Sequence, residues 1–249
     1  MRDYSLILFR YYWNRIFSWK KGSFAEKKNG IMPGGEKKMK KQRNLTRKIV
    51  FTAMLSAVAG ALMSLEFSIP MMPVFYKIDF SDVPAIIGIF TLGPLWGAAI
   101  EVVKLVVKLL TVGTNTMFVG EIANLVGIAF FILPIWFFYN KLGRNMKAAM
   151  VALSVSAVLR TLMACFINAF ITLPMYASAM GISMNSVILA VSAANPAINN
   201  LTTFIILATV PFNLIKITMN NALGYLLYER LIRTHIIPKF VKKTAGVEG

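Results

Sequence analysis

The sequence predicts an all-α integral membrane protein, a six-transmembrane-helix bundle with both termini in the cytoplasm, and three observations carry that expectation. Hydrophobic residues make up 57% of the 249-residue chain and Asp, Glu, Lys and Arg only 15%, against about 25% charged residues in soluble domains. The uncharged runs are long enough for helices of the roughly 20 residues that cross a bilayer; the 55 residues from Thr161 to Ile215 hold no Asp, Glu, Lys or Arg. The basic residues bracket the apolar segments. Fourteen of the 27 Lys and Arg lie in residues 1–48, a second group is Lys141, Arg144 and Lys147, and a third is Arg230, Arg233, Lys239, Lys242 and Lys243. Bracketing of this kind is membrane patterning. It removes the nucleic-acid reading of the +17 net charge and, with the composition, excludes a cytosolic enzyme.

Residues 1–38 differ from the rest. They are basic and aromatic (Tyr11, Tyr12, Trp13, Trp19), contain no clean span, and lack the apolar segment and small-residue cleavage site of a signal peptide. An amphipathic surface anchor is one reading. The run Gly34-Gly35-Glu36-Lys37-Lys38-Met39 back-translates to a purine-rich stretch like a bacterial ribosome-binding site before a start codon. Residues 1–38 are therefore expected to be translated leader or disordered, and residues 39–249 the membrane substrate-binding domain.

Six apolar segments follow. The expected helices are residues 48–66, 83–93, 96–111, 121–139, 147–173 and 202–230. Gly93-Pro94 breaks the second from the third, Pro174 stops the fifth, and Pro211 lies inside the sixth; Pro and Gly are tolerated in membrane helices whose neighbours re-satisfy the backbone. Residues 174–201 read as a polar connection rich in Ser and Asn, with a short helix at 184–194. The segment before the first helix, the connection between the fourth and fifth, and the C-terminal tail are basic. The first-to-second connection carries one basic residue, Lys77, and the other two external connections carry none. The positive-inside rule then puts both ends in the cytoplasm.

Several chemistries are missing. No Gly-Lys dipeptide exists, so there is no Walker A loop, and there is no Gly-x-Ser-x-Gly or His-Glu-x-x-His. One cysteine (Cys165) and one histidine (His235) supply neither an internal disulfide nor a Cys/His zinc site. No catalytic residues, metal or cofactor are expected. Energy for uphill transport would come from a partner.

The polar residues inside apolar segments carry the functional candidates. Glu101, Lys104 and Lys108 share one helix face; they read either as an internal ion-pair cluster that locks the bundle or as a partly wet face. Glu121 and Asn124 lie one turn apart at the start of the fourth helix. There an acid is also favoured by the helix dipole, so a capping charge and a ligand contact stand as equal readings. Asn213 and Lys216 lie on one face just after Pro211, with Asn220 continuing the stripe, and an amide and an ammonium at that spacing can grip a polar ring edge. Asn168 sits a turn from Thr172. A structural Asn bridging helices is the alternative for these amides. Ala53, Ala57 and Ala61 form a small-xxx-small stripe that permits close helix approach, within the bundle or to another membrane protein.

Three motifs occur in order: Tyr76-Lys77-Ile78-Asp79-Phe80-Ser81-Asp82-Val83-Pro84-Ala85 followed by Leu92-Gly93-Pro94; Gly120-Glu121-Ile122-Ala123-Asn124; and Pro211-Phe212-Asn213-Leu214-Ile215-Lys216. Together they resemble the S components of energy-coupling factor (ECF) transporters, and the variant is most similar to the riboflavin-binding members. The resemblance covers about residues 45–232. It implies a six-helix vitamin-binding subunit of a bacterial cell membrane that captures riboflavin from outside. Its partners would be a membrane coupling protein (the T component) and two cytoplasmic ATPases. The family's helix-1 alanine motif, which contacts the coupling protein, maps onto Ala53 and Ala57. Its ring-binding amides and lysine map onto Asn168, Asn213 and Lys216, and its capping loop onto Phe67 to Asp82. An Asn side chain complements the donor and acceptor pattern of the flavin's pyrimidine edge. Met71, Met72, Phe75 and Tyr76 offer flat apolar surface, and Glu121 and Asn124 suit the ribityl hydroxyls. The rivals are an S component for pantothenate or a thiamin precursor, a stand-alone carrier using Glu101 and Lys104 as a proton site, and a scaffold without ligand.

Overall fold

The structure, a computed structural model, describes residues 33–69, 72, 76–114, 117–193 and 195–233. The chain forms two compact units, Met1–Ile49 and Val50–Gly249. The described part of the first is helical from Pro33 onward. The leader expected over residues 1–38 lies outside the described residues as far as residue 32. Core and cavity belong to the second unit.

Helix α1 (Pro33–Ser64) leads to a hairpin of β1 (Phe67–Ser68) and β2 (Lys77–Ile78), antiparallel with Phe67 opposite Ile78 and Ser68 opposite Lys77. Then come α2 (Asp82–Leu92), α3 (Pro94–Thr111), α4 (Val119–Lys141) and α5 (Met146–Ile167). A π-helical turn at Asn168–Thr172 joins α5 to α6 (Leu173–Met180), and α7 (Met184–Ser192) follows. The last segment repeats the pattern: α8 (Leu201–Phe204), a π turn at Ile205–Thr209, and α9 (Val210–Arg233). Four stretches are long and apolar enough to cross a membrane: Lys41–Ser64, Val119–Lys141, Met146–Met180 and Leu201–Ile232. Their outward faces carry large apolar side chains such as Leu133, Leu162, Phe170 and Ile206, so this is a multi-pass membrane protein.

Every residue of α2 is buried. At 1.5 Å per residue it is only about 16 Å long, so it fills the interior between α3, α4 and α9. Gly93 ends it at φ 102°, and its N–H bonds to the carbonyls of Gly88 (3.2 Å) and Ile89 (3.1 Å). L side chains rarely adopt that backbone. Pro94, with φ preset and no N–H to lose, then starts α3. On α9, a Cβ at Gly224 would stand 2.8 Å from Ile86 Cδ1, so the helices approach this closely only because the residue is glycine. Phe90 of α2 packs between Tyr139 of α4 and Tyr228 of α9, with ring centroids 4.7 and 4.8 Å away. Those two hydroxyls lie 2.8 Å apart, which satisfies both inside the core.

Pro174 does not stop the fifth helix as the sequence predicted. Proline has no N–H and its ring clashes with the carbonyl four residues back. Both Pro174 and Pro211 follow a π turn, where the chain bonds five residues back: Leu173 N–H to the Asn168 carbonyl and Val210 N–H to the Ile205 carbonyl. The wider turn accommodates the proline and the helix continues. The first part of the expected polar connection at 174–201 is therefore helical, as α6; α7 falls where the short helix at 184–194 was expected, capped where the Ser183 hydroxyl accepts from Ser186 N–H.

Candidate ligand-binding site

A cavity of about 180 Å³ lies under the hairpin. Its wall takes Tyr76, Lys77 and Asp79 from the segment before α2, and Glu66 from just after α1. Gly120, Glu121 and Asn124 come from the start of α4, Arg160 from α5, Asn168 and Thr172 from the first π turn, and Asn213 and Lys216 from α9. Met63, Phe130, Met163, Ile167, Phe212 and Ile217 supply apolar surface between them. Six of the seven ligand residues expected from the sequence therefore line one cavity: Tyr76, Glu121, Asn124, Asn168, Asn213 and Lys216. The seventh, Phe75, lies outside the described residues, as does Met71. Ala53, Ala57 and Ala61 do not line it; all three are exposed on α1.

The polar wall is held in place by an internal network. Lys216 Nζ donates to Asp79 Oδ2 at 2.8 Å and to the Lys77 carbonyl at 3.4 Å. Asp79 also accepts from Ser81 N–H at 2.9 Å and from the Ser81 hydroxyl. Burial pushes the Asp79 carboxyl up, but the Lys216 ammonium, with Lys104 behind it, more than offsets this and holds it below the ordinary carboxylate range. Asn213 Nδ2 donates to the Thr209 carbonyl at 2.9 Å. Asn168 Nδ2 donates to the Ala164 carbonyl at 2.8 Å, and its Oδ1 accepts from the Tyr76 hydroxyl at 3.0 Å. That hydroxyl also lies 2.7 Å from Thr209 Oγ1. The Tyr76 ring stacks on Phe212, centroids 4.4 Å apart and planes 7° from parallel. Burial raises the phenol's pKa, so Tyr76 stays protonated and bridges the two π turns.

Glu121 accepts from Lys108 Nζ at 2.7 Å and from the Thr114 hydroxyl at 3.1 Å. Lys104 pairs with Glu101 (2.8 Å) and with Asp82 (2.5 Å), and Glu66 pairs with Lys77 (2.6 Å). Glu101 and Lys104 thus belong to an internal ion-pair cluster, whereas Lys108 lines the cavity and reaches Glu121 on the next helix. Asn220, expected to extend the cavity stripe, is fully buried outside the wall and donates to the Asp79 carbonyl at 2.8 Å. It positions the loop and does not face a ligand.

Sequence reasoning missed Arg160. Its Nη1 donates to Asp82 Oδ2 at 2.5 Å and its guanidinium lies 4.3 Å from the Phe131 ring centroid. The signal was present: a lone arginine in the middle of an apolar span is costly unless paired. Among the described residues, no group of three or more His, Cys, Asp or Glu could hold a metal ion. The wall presents paired charges, amides and hydroxyls beside flat apolar surface, which suits an uncharged, flat solute rich in hydrogen-bonding groups.

Comparison with known proteins points the same way. The family described as "ECF transporter, substrate-specific component" matches residues 47–228. Riboflavin transporter FmnP of Bacillus subtilis (strain 168) is 37% identical over 171 residues, covering 68% of this chain and 84% of that protein. Riboflavin transporter RibU of Staphylococcus aureus (strain TCH60) is 33% identical over 199 residues, covering 79% of this chain and 95% of that protein. A solved structure described as "Structure and mechanism of the S component of a bacterial ECF transporter" superposes with TM-score 0.60 at 27% identity, covering 77% of this chain and 98% of that one.

Proposed function

Because this chain belongs to the substrate-specific components of ECF transporters, we propose that it is the bacterial membrane subunit that binds riboflavin and mediates its uptake. The observation that carries this reading is the convergence of Asn168, Asn213, Lys216, Tyr76, Glu121 and Asn124, from four separate parts of the chain, on a single cavity. Asn168, Asn213 and Lys216 take the flavin's polar ring edge, Tyr76 and Phe75 its flat face, and Glu121 and Asn124 the ribityl hydroxyls. At about 180 Å³ the cavity is below the roughly 300–1,000 Å³ of typical small-molecule pockets, so its wall must give way to admit a flavin.

Energy comes from partners: a membrane coupling protein, which packs on the exposed Ala53 and Ala57 face, and two ATPases. Six membrane segments with both ends cytoplasmic complete the reading. Glu101 and Lys104 do not line the cavity; they are bound to each other, and Lys104 also to Asp82, which argues against a stand-alone proton carrier.

The test is titration of the detergent-purified chain with riboflavin, read by quenching of flavin fluorescence, with pantothenate and thiamin as competitors. Saturable quenching that neither competitor reverses is expected; no quenching, or displacement by either vitamin, refutes the assignment. Riboflavin uptake that persists without the ATPases would refute the energised assembly alone.

A further inference from the structure

The two π turns are copies of one local design. Each ends on a threonine two residues before a proline: Thr172-Leu173-Pro174 and Thr209-Val210-Pro211. Some hydroxyls in ordinary helical turns of this protein bond back to the carbonyl four residues earlier, whereas those of Thr52, Ser56 and Thr161 do not. Thr91 reaches Ile87 at 2.6 Å, Thr111 reaches Val107 at 2.9 Å, and Ser64 reaches Gly60 at 3.0 Å. At the first π turn the equivalent carbonyl, that of Asn168, receives the Leu173 N–H, and the Thr172 hydroxyl makes no bond to it. Thr209 Oγ1 is satisfied from outside its helix by Tyr76. Thr172 Oγ1 is buried, its residue 9% exposed, and it has no hydrogen-bond partner; among the described residues, Thr52, Ser56, Thr161, Asn220 and Asn221 also hold a buried atom without one, but of these residues Thr172 alone lines the cavity.

A buried hydroxyl without a partner is costly, and native structures leave few of them. A donor–acceptor group in this position, beside the Asn168 amide, is completed by whatever fills the cavity. We propose that Thr172 Oγ1 is a further ligand-binding group, supplying one hydrogen bond to the bound flavin. This rests on the riboflavin reading above.

The experiment compares the full chain with Thr172→Val, which keeps the shape and removes the hydroxyl, and Thr172→Ser, which keeps the hydroxyl. Each is titrated with riboflavin by fluorescence quenching, and each is melted without ligand. One neutral hydrogen bond predicts affinity about three- to tenfold weaker in Thr172→Val, and within about twofold of the starting protein in Thr172→Ser. The ligand-free melting temperature of Thr172→Val should be equal or higher, because the variant removes an unsatisfied buried group. Unchanged affinity in Thr172→Val overturns the proposal. So does a fall in ligand-free stability that accounts for the loss of binding, because it would make the hydroxyl structural. Failure of the unsubstituted chain to bind riboflavin would instead defeat the riboflavin assignment, and that outcome is read before any variant is compared.

Discussion

Replacing Lys216 by methionine should do two separable things. The Nζ lies 2.8 Å from Asp79 Oδ2, and the two side chains are 18% and 4% exposed. Removing one partner of a buried ion pair costs about 3–5 kcal/mol, because the other charge is left uncompensated. The partial exposure of Lys216 and the two donors that Ser81 keeps on Asp79 reduce that to roughly 2–3 kcal/mol. For a domain of this size the loss corresponds to a fall of about 5–10 °C in melting temperature, measured on the ligand-free protein in detergent. Adding Asp79→Asn to Lys216→Met removes the stranded carboxylate and should restore most of the lost stability. It should not restore binding. The charged donor that the proposed site assigns to the flavin is gone in both variants, so riboflavin affinity should stay at least tenfold below that of the unsubstituted chain. Two results would refute the reasoning: a double variant no more stable than Lys216→Met, or a double variant that binds riboflavin normally. The first would break the structural coupling of the pair, and the second would remove Lys216 from the ligand site.

Asn213→Ala should weaken riboflavin binding by roughly one order of magnitude in the same titration, from the loss of a desolvated hydrogen-bond partner, while ligand-free melting changes little. Ala57→Trp should leave binding within about twofold and abolish riboflavin uptake by cells, since a bulky ring on an exposed small-residue stripe blocks close helix approach; retained uptake would clear that face of a partner. The Asp79 carboxyl, held below its ordinary range, should contribute stability that is fully present above the unfolded pKa of about 3.9 and is lost as pH falls through the lower folded value. The fall in melting temperature below about pH 4 should therefore be shallower in Asp79→Asn than in the unsubstituted chain.

The sequence located the apolar segments because their composition is local information. The expected 121–139 and 147–173 segments fall within Val119–Lys141 and Met146–Met180, and the break at Gly93-Pro94 is a backbone requirement that the two residues state themselves. The continuation past Pro174 was not legible, because whether a proline ends a helix or is absorbed by a π turn depends on the neighbouring packing. At the site, Asn168, Asn213 and Lys216 were singled out as amides and an ammonium inside apolar runs. Their present partners were not foreseeable: Lys216 binds Asp79, 137 positions away, and Arg160 binds Asp82, 78 positions away. Glu101 and Lys104 form an ion pair, one of the two readings their spacing leaves open, and three residues apart on a helix is a local relation. Asn220 looked like part of the cavity stripe because helical periodicity places it on that face, but the loop backbone at Asp79 occupies the space.

The short, wholly buried α2 has a consequence for how the chain is made. A segment of about 16 Å cannot rest in a bilayer alone, since the hydrocarbon core is about 30 Å thick. Its first residue, Asp82, is a carboxylate that is costly to place in a bilayer without a partner. That residue is compensated by Lys104, which follows it within the next helix, and by Arg160, which is synthesised 78 residues later. During biosynthesis α2 therefore has no stable resting place until α5 has entered the membrane, and the wall on the Arg160 side of the cavity cannot close before then. Nascent chains truncated ahead of Arg160 should leave the Asp79–Asp82 segment open to protease, whereas chains that extend through α9 should shield it.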